Sequence, residues 1–385
     1  MTIKRQGPLL LTPGPLTTSA SVKEAMLRDW GSRDEDFLRL TRHVRETLVN
    51  LGGGDGTHVA VLLQGSGTFA LEAMLGTLVA RPGKVLVAVN GAYGARMAHI
   101  CRRIGREVTT YETPEDTPPD PGEIERRLAA DQTITHVAVV HCETTCGILN
   151  PVAEVAAAVA AQGRQLLIDA MSSFGALPFD AGRIAFEAMA SSANKCLQGV
   201  PGLAFVLCRE SALHQSAGNA PSLSLDLYDQ WQAMEMNGQW RFTPPTHVVA
   251  ALSRALEELA SEGGIEGRHR RYQRNCEVLI HGMKGLGFRP ILPARWQAPI
   301  IVTFAMPGHS GFDFERFYRG LKVKGYVIYP GKLTRTNTFR IGCIGDLDET
   351  DIERALEGIR ETLEEMHVDL TLADGAEARA TTDTT

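Results

Sequence analysis

The sequence has no apolar run long enough to serve as a signal peptide or to cross a membrane. Near its start, only three leucines precede the segment Thr-Pro-Gly-Pro at 12–15. Its seven cysteines are scattered and include no C-x-x-C pair, so neither a disulfide framework nor a zinc knuckle is indicated and no metal is expected. We therefore expect a cytoplasmic protein with reduced thiols and no membrane partner.

An excess of positive charge is also missing, because the formal net charge is −6. The chain therefore gives no reason to expect a nucleic-acid partner. A basic cluster at 268–274 is more typical of a solvated helix face or an interface. The glycine-rich stretch at 65–68 matches neither G-x-G-x-x-G nor a Walker loop, which disfavours nucleotide binding.

Apolar runs alternate with helical periodicity from about residue 59 to residue 208. Strands are expected at 59–63, 85–89, 107–111, 136–141 and 165–169, with weaker ones at about 187–191 and 202–208. Helices are expected between most of them. This pattern predicts an α/β fold with a mostly parallel sheet flanked by helices on both faces, and ligands that gather at the carboxyl ends of its strands.

The length of 385 residues allows two domains, and the pattern changes after about residue 210. A long helix near 246–262 leads to a charged helix, three short strands and a final helix, which predicts a smaller α+β domain. We expect an N-terminal arm at 1–18, a large domain at 19–250 and a small C-terminal domain at 251–366. The small polar residues that follow indicate a disordered tail at 367–385.

Two residues at the ends of predicted strands carry the main functional hypothesis. Asp169 ends an apolar strand, and Lys195 lies among small residues after another. Asp169 could equally cap a helix or form a salt bridge, and most lysines lie on the surface. Together, however, the two residues suggest a pyridoxal phosphate site, in which a lysine amine binds the cofactor aldehyde and an acid holds the pyridine nitrogen protonated.

Three further features agree with this hypothesis, although each has a structural alternative. The loop Gly65-Ser66-Gly67-Thr68 opens a helix after a buried strand and could bind a phosphate, or be a tight turn. Tyr93 could stack on a pyridine ring, or be a core aromatic. Arg340 is a lone cation in an apolar strand, suited to a carboxylate or phosphonate, or to a structural salt bridge.

The motifs of this chain resemble those of the class V aminotransferases of PLP fold type I, from about residue 8 to residue 365. The matching stretches are Thr-Pro-Gly-Pro at 12–15, Gln-Gly-Ser-Gly-Thr at 64–68, Asn-Gly-Ala-Tyr-Gly-Ala-Arg at 90–96, Glu-Thr-Thr at 143–145, Asp-Ala-Met-Ser-Ser-Phe-Gly at 169–175 and Ser-Ser-Ala-Asn-Lys-Cys at 191–196. Further matches lie at 222–231, 240–247, 327–332 and 339–342. The resemblance implies a transaminase that passes the amino group of 2-aminoethylphosphonate to pyruvate, in phosphonate degradation.

The same resemblance implies a role for each candidate residue. Lys195 would be the Schiff-base lysine, and Asp169 would pair with the pyridine nitrogen. The other implied contacts are Ser66, Gly67 and Thr68 on the phosphate, Tyr93 on the ring, Thr144 near the ring hydroxyl, Arg340 on the substrate anion, and Thr243 of the partner subunit on the phosphate. The last contact implies a homodimer with shared active sites.

Other functions remain open at this point. An alanine– or serine–glyoxylate aminotransferase would use the same scaffold, and a cysteine desulfurase is less favoured because no cysteine lies in an evident mobile loop. A nicotinamide-dependent oxidoreductase could use the same kind of sheet but would need the missing glycine fingerprint. A non-catalytic protein that binds pyridoxal phosphate would keep Lys195 without turning over any amine.

Overall fold

The computed structural model describes residues 7–53, 56–179 and 184–371. Residues 1–6 of the predicted arm and 372–385 of the predicted tail lie outside the described residues. Among those described, no helix is long and apolar enough to cross a membrane. The described ranges also contain no group of histidine, cysteine or acidic side chains that could hold a metal ion.

The strands and helices follow the alternation that the sequence predicts. The strands are β1 (Leu9–Leu10), β2 (His58–Gln64), β3 (Lys84–Val89), β4 (Glu107–Glu112), β5 (Ile134–Val140), β6 (Cys142–Glu143), β7 (Ile148–Leu149), β8 (Gln165–Asp169), β9 (Ala188–Ser192), β10 (Leu203–Arg209), β11 (Ile301–Ala305), β12 (Tyr326–Val327), β13 (Tyr329–Pro330) and β14 (Thr338–Gly342). The helices are α1 (Ala20–Glu24), α2 (Glu35–Leu51), α3 (Gly67–Leu78), α4 (Ala92–Arg103), α5 (Pro121–Ala130), α6 (Val152–Ala161), α7 (Glu210–Gln215), α8 (Leu227–Asn237), α9 (Thr246–Ser261), α10 (Gly264–Gly285), α11 (Phe314–Val323) and α12 (Glu349–Glu365).

A seven-stranded sheet in the order β2-β10-β9-β8-β5-β3-β4 forms the centre of the large domain. Strand β10 is antiparallel to both of its neighbours, and the other adjacent strands run parallel. The predicted α/β class with a mostly parallel sheet is therefore confirmed. Since the parallel strands all end at one edge, the loops that follow β2, β3, β8 and β9 share that edge.

Both faces of this sheet are buried, which explains why its strands are apolar at nearly every position. Along β2, Leu62 belongs to the core that helices α2, α5, α6 and α9 form on one face of the sheet. Its neighbours Val61 and Leu63 pack with α3 and α4 on the other. Successive side chains of a strand point to opposite faces, so one apolar run supplies two cores.

The C-terminal part of the chain builds a separate three-stranded antiparallel sheet in the order β11-β14-β13. Helices α10, α11 and α12 cover it around an aromatic cluster that includes Phe288, Phe304 and Phe339. Val368 and Leu370 are also buried in this core, so packed chain continues past residue 366. The division at residues 18, 250 and 366 stays a prediction, and its second boundary falls inside α9.

The N-terminal arm joins the two parts of the molecule. Strand β1 pairs in parallel with β12 of the small domain. Beyond it, the carbonyl of Leu11 accepts a hydrogen bond of 2.9 Å from the N–H of Gly342. The arm then continues to the carboxyl edge of the large sheet.

Candidate active site

Asp169 and Lys195 are positioned by two neighbouring strands of the large sheet, β8 and β9. Asp169 is the last residue of β8 and is in register with Ala190 of β9. Lys195 comes three residues after the end of β9. Its Nζ donates a hydrogen bond of 2.8 Å to the carbonyl of Pro13 in the N-terminal arm. Burial lowers the pKa of Lys195, which favours the neutral amine needed for nucleophilic attack.

The carboxylate of Asp169 is only half satisfied. Its Oδ1 accepts a 2.9 Å hydrogen bond from the N–H of Met171. Its Oδ2 is buried and has no hydrogen-bond partner among the described residues. Burial raises the pKa of Asp169 to about 7. A cationic N–H that donates to Oδ2 would offset the free-energy cost of burying this carboxylate, and a protonated pyridine nitrogen is such a donor.

A second orphaned group lies in the loop after β6. The Oγ1 of Thr144 is buried without a hydrogen-bond partner in the described part of the chain. The carbonyl of the same residue accepts a 2.8 Å hydrogen bond from Nη1 of Arg340. Thr144 therefore offers a hydroxyl to a ligand while its backbone positions a cation.

The loop at 65–68 has the features of an anion site. Ser66 is the N-cap of α3, yet its side chain makes no capping bond, so the first N–H groups of the helix stay available. The side chain of Met171 packs directly against Gly67, and a Cβ there would have to displace its Sδ. The Oγ1 of Thr68 accepts a 3.4 Å hydrogen bond from Nη1 of Arg96, which places a positive charge beside the loop.

Tyr93 lies in the first turn of α4 with cations close to its ring. The guanidinium of Arg96 is 4.9 Å from the ring centroid, and the ammonium of Lys332 is 5.0 Å from it. Burial favours a higher pKa for Tyr93, but the charges of Lys332 and Lys195 outweigh it and lower the pKa. The ring is half-buried, which leaves area for a stacked ligand.

Glu143 holds this part of the site together, although from the sequence it was noted only as part of a motif. Its buried Oε2 accepts hydrogen bonds from the N–H groups of Tyr93 (3.1 Å) and Gly94 (3.2 Å). Its Oε1 accepts from the N–H (3.1 Å) and Oγ1 (2.6 Å) of Thr145. Burial raises the pKa of Glu143, and these bonds offset part of the rise. The sequence feature that could have identified Glu143 is an acidic residue within the mostly apolar segment that follows β5.

Arg340 is almost fully buried on β14, with 2% of its surface exposed. Besides Nη1, its Nε donates a 3.1 Å hydrogen bond to the carbonyl of Pro330. In the described residues it has no carboxylate partner. The structural salt bridge considered from the sequence is therefore not formed there. Burial lowers the pKa of Arg340, and the guanidinium is held by carbonyls with Nη2 left for a ligand.

Thr243 is exposed and is not brought to Lys195 by any hydrogen bond among the described residues. It lines a cavity of about 460 Å³ together with Gly65, Phe69 and Phe242. Both of these phenylalanines are about half exposed, at 49% and 51%. Thr243 thus lies next to the loop at 65–68, beside two partly exposed phenylalanines.

The family model described as aminotransferase class V matches residues 19–324 of the chain. The chain is 54% identical over 376 residues to 2-aminoethylphosphonate–pyruvate transaminase 2 of Burkholderia lata, covering 98% of this chain and all of that protein. It is also 54% identical over 361 residues to 2-aminoethylphosphonate–pyruvate transaminase of Pseudomonas putida GB-1, covering 94% and 98% of the two chains.

Solved structures of related proteins show the same fold. Aspartate aminotransferase of Thermus thermophilus superposes with a TM-score of 0.83 at 26% identity, covering 93% of this chain and 99% of that one. Pyridoxamine–pyruvate aminotransferase of Mesorhizobium loti superposes with a TM-score of 0.87 at 24% identity, covering 99% and 98%.

Proposed function

The chain belongs to the class V aminotransferase family, and from this premise we propose that it transfers the amino group of 2-aminoethylphosphonate to pyruvate. The products are phosphonoacetaldehyde and L-alanine, which places the enzyme in phosphonate degradation. The names of relatives 52–54% identical over nearly the whole chain support this choice of substrates. The structural observation that carries the proposal is Oδ2 of Asp169, which is buried and has no hydrogen-bond partner among the described residues, on the strand next to the one that Lys195 follows.

Pyridoxal 5′-phosphate fits the groups that the protein leaves unsatisfied. Asp169 would pair with the pyridine nitrogen, Thr144 would reach the ring hydroxyl, and the N–H groups at Ser66, Gly67 and Thr68 would hold the phosphate. When bound, the cofactor supplies an electron sink for the bond broken at the amino-bearing carbon of the substrate. Tyr93 would cover one face of its ring.

Lys195 would hold the cofactor and would also move the proton. Its lowered pKa means that Nζ is more readily found as a free amine, able to accept the proton from the amino-bearing carbon. The carbonyl of Pro13 accepts a 2.8 Å hydrogen bond from Nζ and so orients the free amine. Pro13 is therefore a positioning residue, acting through its backbone.

Arg340 recognises the end of each substrate that does not react. The amino donor carries a phosphonate there and pyruvate carries a carboxylate, and a guanidinium binds both by charge-assisted hydrogen bonds. Because Nε and Nη1 are fixed by the carbonyls of Pro330 and Thr144, the guanidinium keeps its orientation as one substrate replaces the other. The same guanidinium thus binds the substrate anion in both half-reactions.

We further propose a homodimer in which Thr243 of the partner subunit completes the phosphate site. The exposed Phe69 and Phe242 beside Gly65 support it, since such apolar side chains favour burial against a second copy. We also propose a cytoplasmic location, which agrees with seven cysteines that are all free and buried.

The proposal is tested by mixing the purified holoenzyme with one amine at a time and following the cofactor absorbance. We expect 2-aminoethylphosphonate to bleach the cofactor band and pyruvate to restore it with formation of alanine. Taurine and serine serve as competing amines, and alanine should drive the reverse half-reaction. The Lys195→Ala variant should show neither the band shift nor turnover.

Bleaching by serine with no response to 2-aminoethylphosphonate would instead assign a glyoxylate-type aminotransferase. Normal turnover by Lys195→Ala would remove this lysine from the mechanism. A protein that binds the cofactor but reacts with none of these amines would not be a transaminase of this kind.

A further inference from the structure

We propose that Lys332 is a second cation of the substrate site and that, together with Arg340, it binds the phosphonate of the amino donor. The site is then built for an anion with two charges, and this distinguishes its donor from amino acids that carry a carboxylate. The inference rests on the proposed function, whose substrates it assumes.

Lys332 reaches the candidate site from the small domain. Its Nζ donates a 3.3 Å hydrogen bond to the hydroxyl of Tyr93. The same Nζ lies 5.0 Å from the centroid of the Tyr93 ring. Among the described residues Lys332 forms no salt bridge, and the hydrogen-bond partner of its Nζ is the neutral hydroxyl of Tyr93.

The backbone before Lys332 ties this cation to Arg340. Nε of Arg340 donates to the carbonyl of Pro330, two residues before Lys332, at 3.1 Å. The N–H of Gly331 donates to the carbonyl of Thr338 at 2.8 Å. A Cβ on Gly331 would overlap the Thr338 side chain, so only glycine lets the chain lie this close to β14. Arg340, on β14, and Lys332, two residues after β13, therefore belong to the same antiparallel strand pair.

A second anchor holds the loop after Lys332 against the large domain. The N–H and Oγ1 of Thr334 donate to Oε2 of Glu115 at 2.9 Å and 3.2 Å. The carbonyl of Glu115 in turn accepts a 2.8 Å hydrogen bond from Sγ of Cys146. The backbone is thus held on both sides of Lys332, whose exposed side chain reaches the hydroxyl of Tyr93.

The charges of this group act on one another, which agrees with a shared pocket. Besides burial, the ammonium of Lys332 contributes to the lowered pKa of Lys195. Tyr93 contributes electrostatically to both Lys195 and Arg340. Tyr93 therefore interacts electrostatically with the reacting amine and with Arg340, and it contacts Lys332 directly.

A charge count explains why a second cation is useful. A fully ionised phosphonate carries two negative charges, whereas the carboxylate of pyruvate carries one. Arg340 supplies one positive charge, and its Nε and Nη1 already donate hydrogen bonds to backbone carbonyls. An ammonium adds a compact point charge that matches the second phosphonate charge. Pyruvate needs only the guanidinium.

The test is steady-state kinetics of holoenzyme variants with both substrates. Lys332→Met should lower kcat/KM for 2-aminoethylphosphonate by about tenfold to a hundredfold, the range expected for loss of a charge-assisted bond, while KM for pyruvate changes by less than about threefold. Lys332→Arg should restore most of the loss. Lys322→Met, on the exposed face of α11, is the matched control and should behave as wild type.

Two further measurements separate charge from loop position. Methylphosphonate should inhibit Lys332→Met less strongly than wild type, whereas inhibition by acetate should not change. Thr334→Val loosens the loop but keeps the charge, and it should not reproduce this asymmetry. The proposal is overturned if Lys332→Met weakens both substrates equally, leaves both unchanged, or is matched by Thr334→Val.

Failure of the proposed function gives a different result. In that case wild type shows no turnover of 2-aminoethylphosphonate with pyruvate, whatever happens at Lys332. A wild-type enzyme that is active with this pair, combined with a Lys332→Met variant of unchanged selectivity, refutes only the second cation.

Discussion

At the scale of single residues, the charged form of Asp169 destabilises the cofactor-free protein. Its Oδ2 is buried without a partner in the described residues, and burial raises its pKa from 3.8 to about 7. A raised carboxyl pKa means that the folded state binds the proton more tightly than the unfolded chain. The free energy of unfolding therefore falls as pH rises from about 4 to about 7 and then stays level.

We predict that Asp169→Asn stabilises the cofactor-free protein above pH 7, because an amide carries no charge to desolvate. About three pKa units set an upper bound of about 4 kcal/mol on the gain, and it should shrink as the pH falls towards 4. Urea unfolding at pH 8 and pH 5 measures it. The same variant should lose transaminase activity, because an amide cannot hold the pyridine nitrogen protonated.

The exposed Asp116→Asn variant is a suitable control, since it removes an acid without changing a buried charge. If Asp169→Asn were equally stabilised or destabilised at both pH values, Asp169 would not be the strained carboxylate that its surroundings indicate.

The positions of Asp169 and Lys195 at and just after strand ends could be read from the sequence, because a polar residue there interrupts an apolar run. The acceptor of Lys195 could not, because Pro13 lies 182 residues away in the chain. No local pattern encodes a contact made by a backbone carbonyl across that separation. Glu143 was missed for a similar reason, since its donors come from α4, some 50 residues earlier.

At the scale of elements, the start of α4 depends on a side chain from another part of the chain. Glu143 accepts from the N–H groups of Tyr93 and Gly94 and also holds Thr145. A carboxylate at a helix N-terminus satisfies free N–H groups and interacts well with the helix dipole. Glu143 thereby fixes both the aromatic ring of the site and the loop that carries Thr144.

We predict that Glu143→Gln lowers the free energy of unfolding by about 1–3 kcal/mol, because the amide NH2 must face an N–H or hydroxyl donor. Affinity for pyridoxal phosphate should fall as well, since Tyr93 and Thr144 lose their common support. Urea unfolding and cofactor titration measure the two effects. The exposed Glu154→Gln on α6 serves as control, and unchanged cofactor affinity in Glu143→Gln would contradict the positioning role.

The order of helices and strands could be read from periodicity, but the direction of β10 could not. Its sequence is apolar like those of the other strands of the sheet, and the pattern of a buried strand is the same in either direction. The two-residue pairing of β1 with β12 was also hidden, because such short strands have no periodicity to detect. Both features depend on tertiary contacts.

At the scale of the whole molecule, the small domain and the arm contribute to a site centred on the large sheet. Arg340 comes from β14, Lys332 from the loop before it, and Pro13 from the arm. The site therefore requires both parts of the chain in their relative positions. Thr243, exposed beside Gly65, extends this dependence to a second subunit in the proposed dimer.

Shared sites predict complementation between two inactive variants. Lys195→Ala lacks its own lysine but presents a normal Thr243, whereas Thr243→Glu keeps its lysine and places a negative charge where the partner's phosphate would bind. In a mixed dimer one of the two sites receives both intact residues. Random reassociation of equal amounts should therefore restore about a quarter of wild-type activity.

The measurement is turnover after the two variants are unfolded together and refolded, with each variant refolded alone as control. Each should stay inactive alone, because every site in its homodimer carries the same defect. If the mixture is no more active than its parts while size analysis shows mixed dimers, both residues act within one subunit. Thr243 would then belong to the site of its own chain, and the apolar surface around Phe69 and Phe242 would need another explanation.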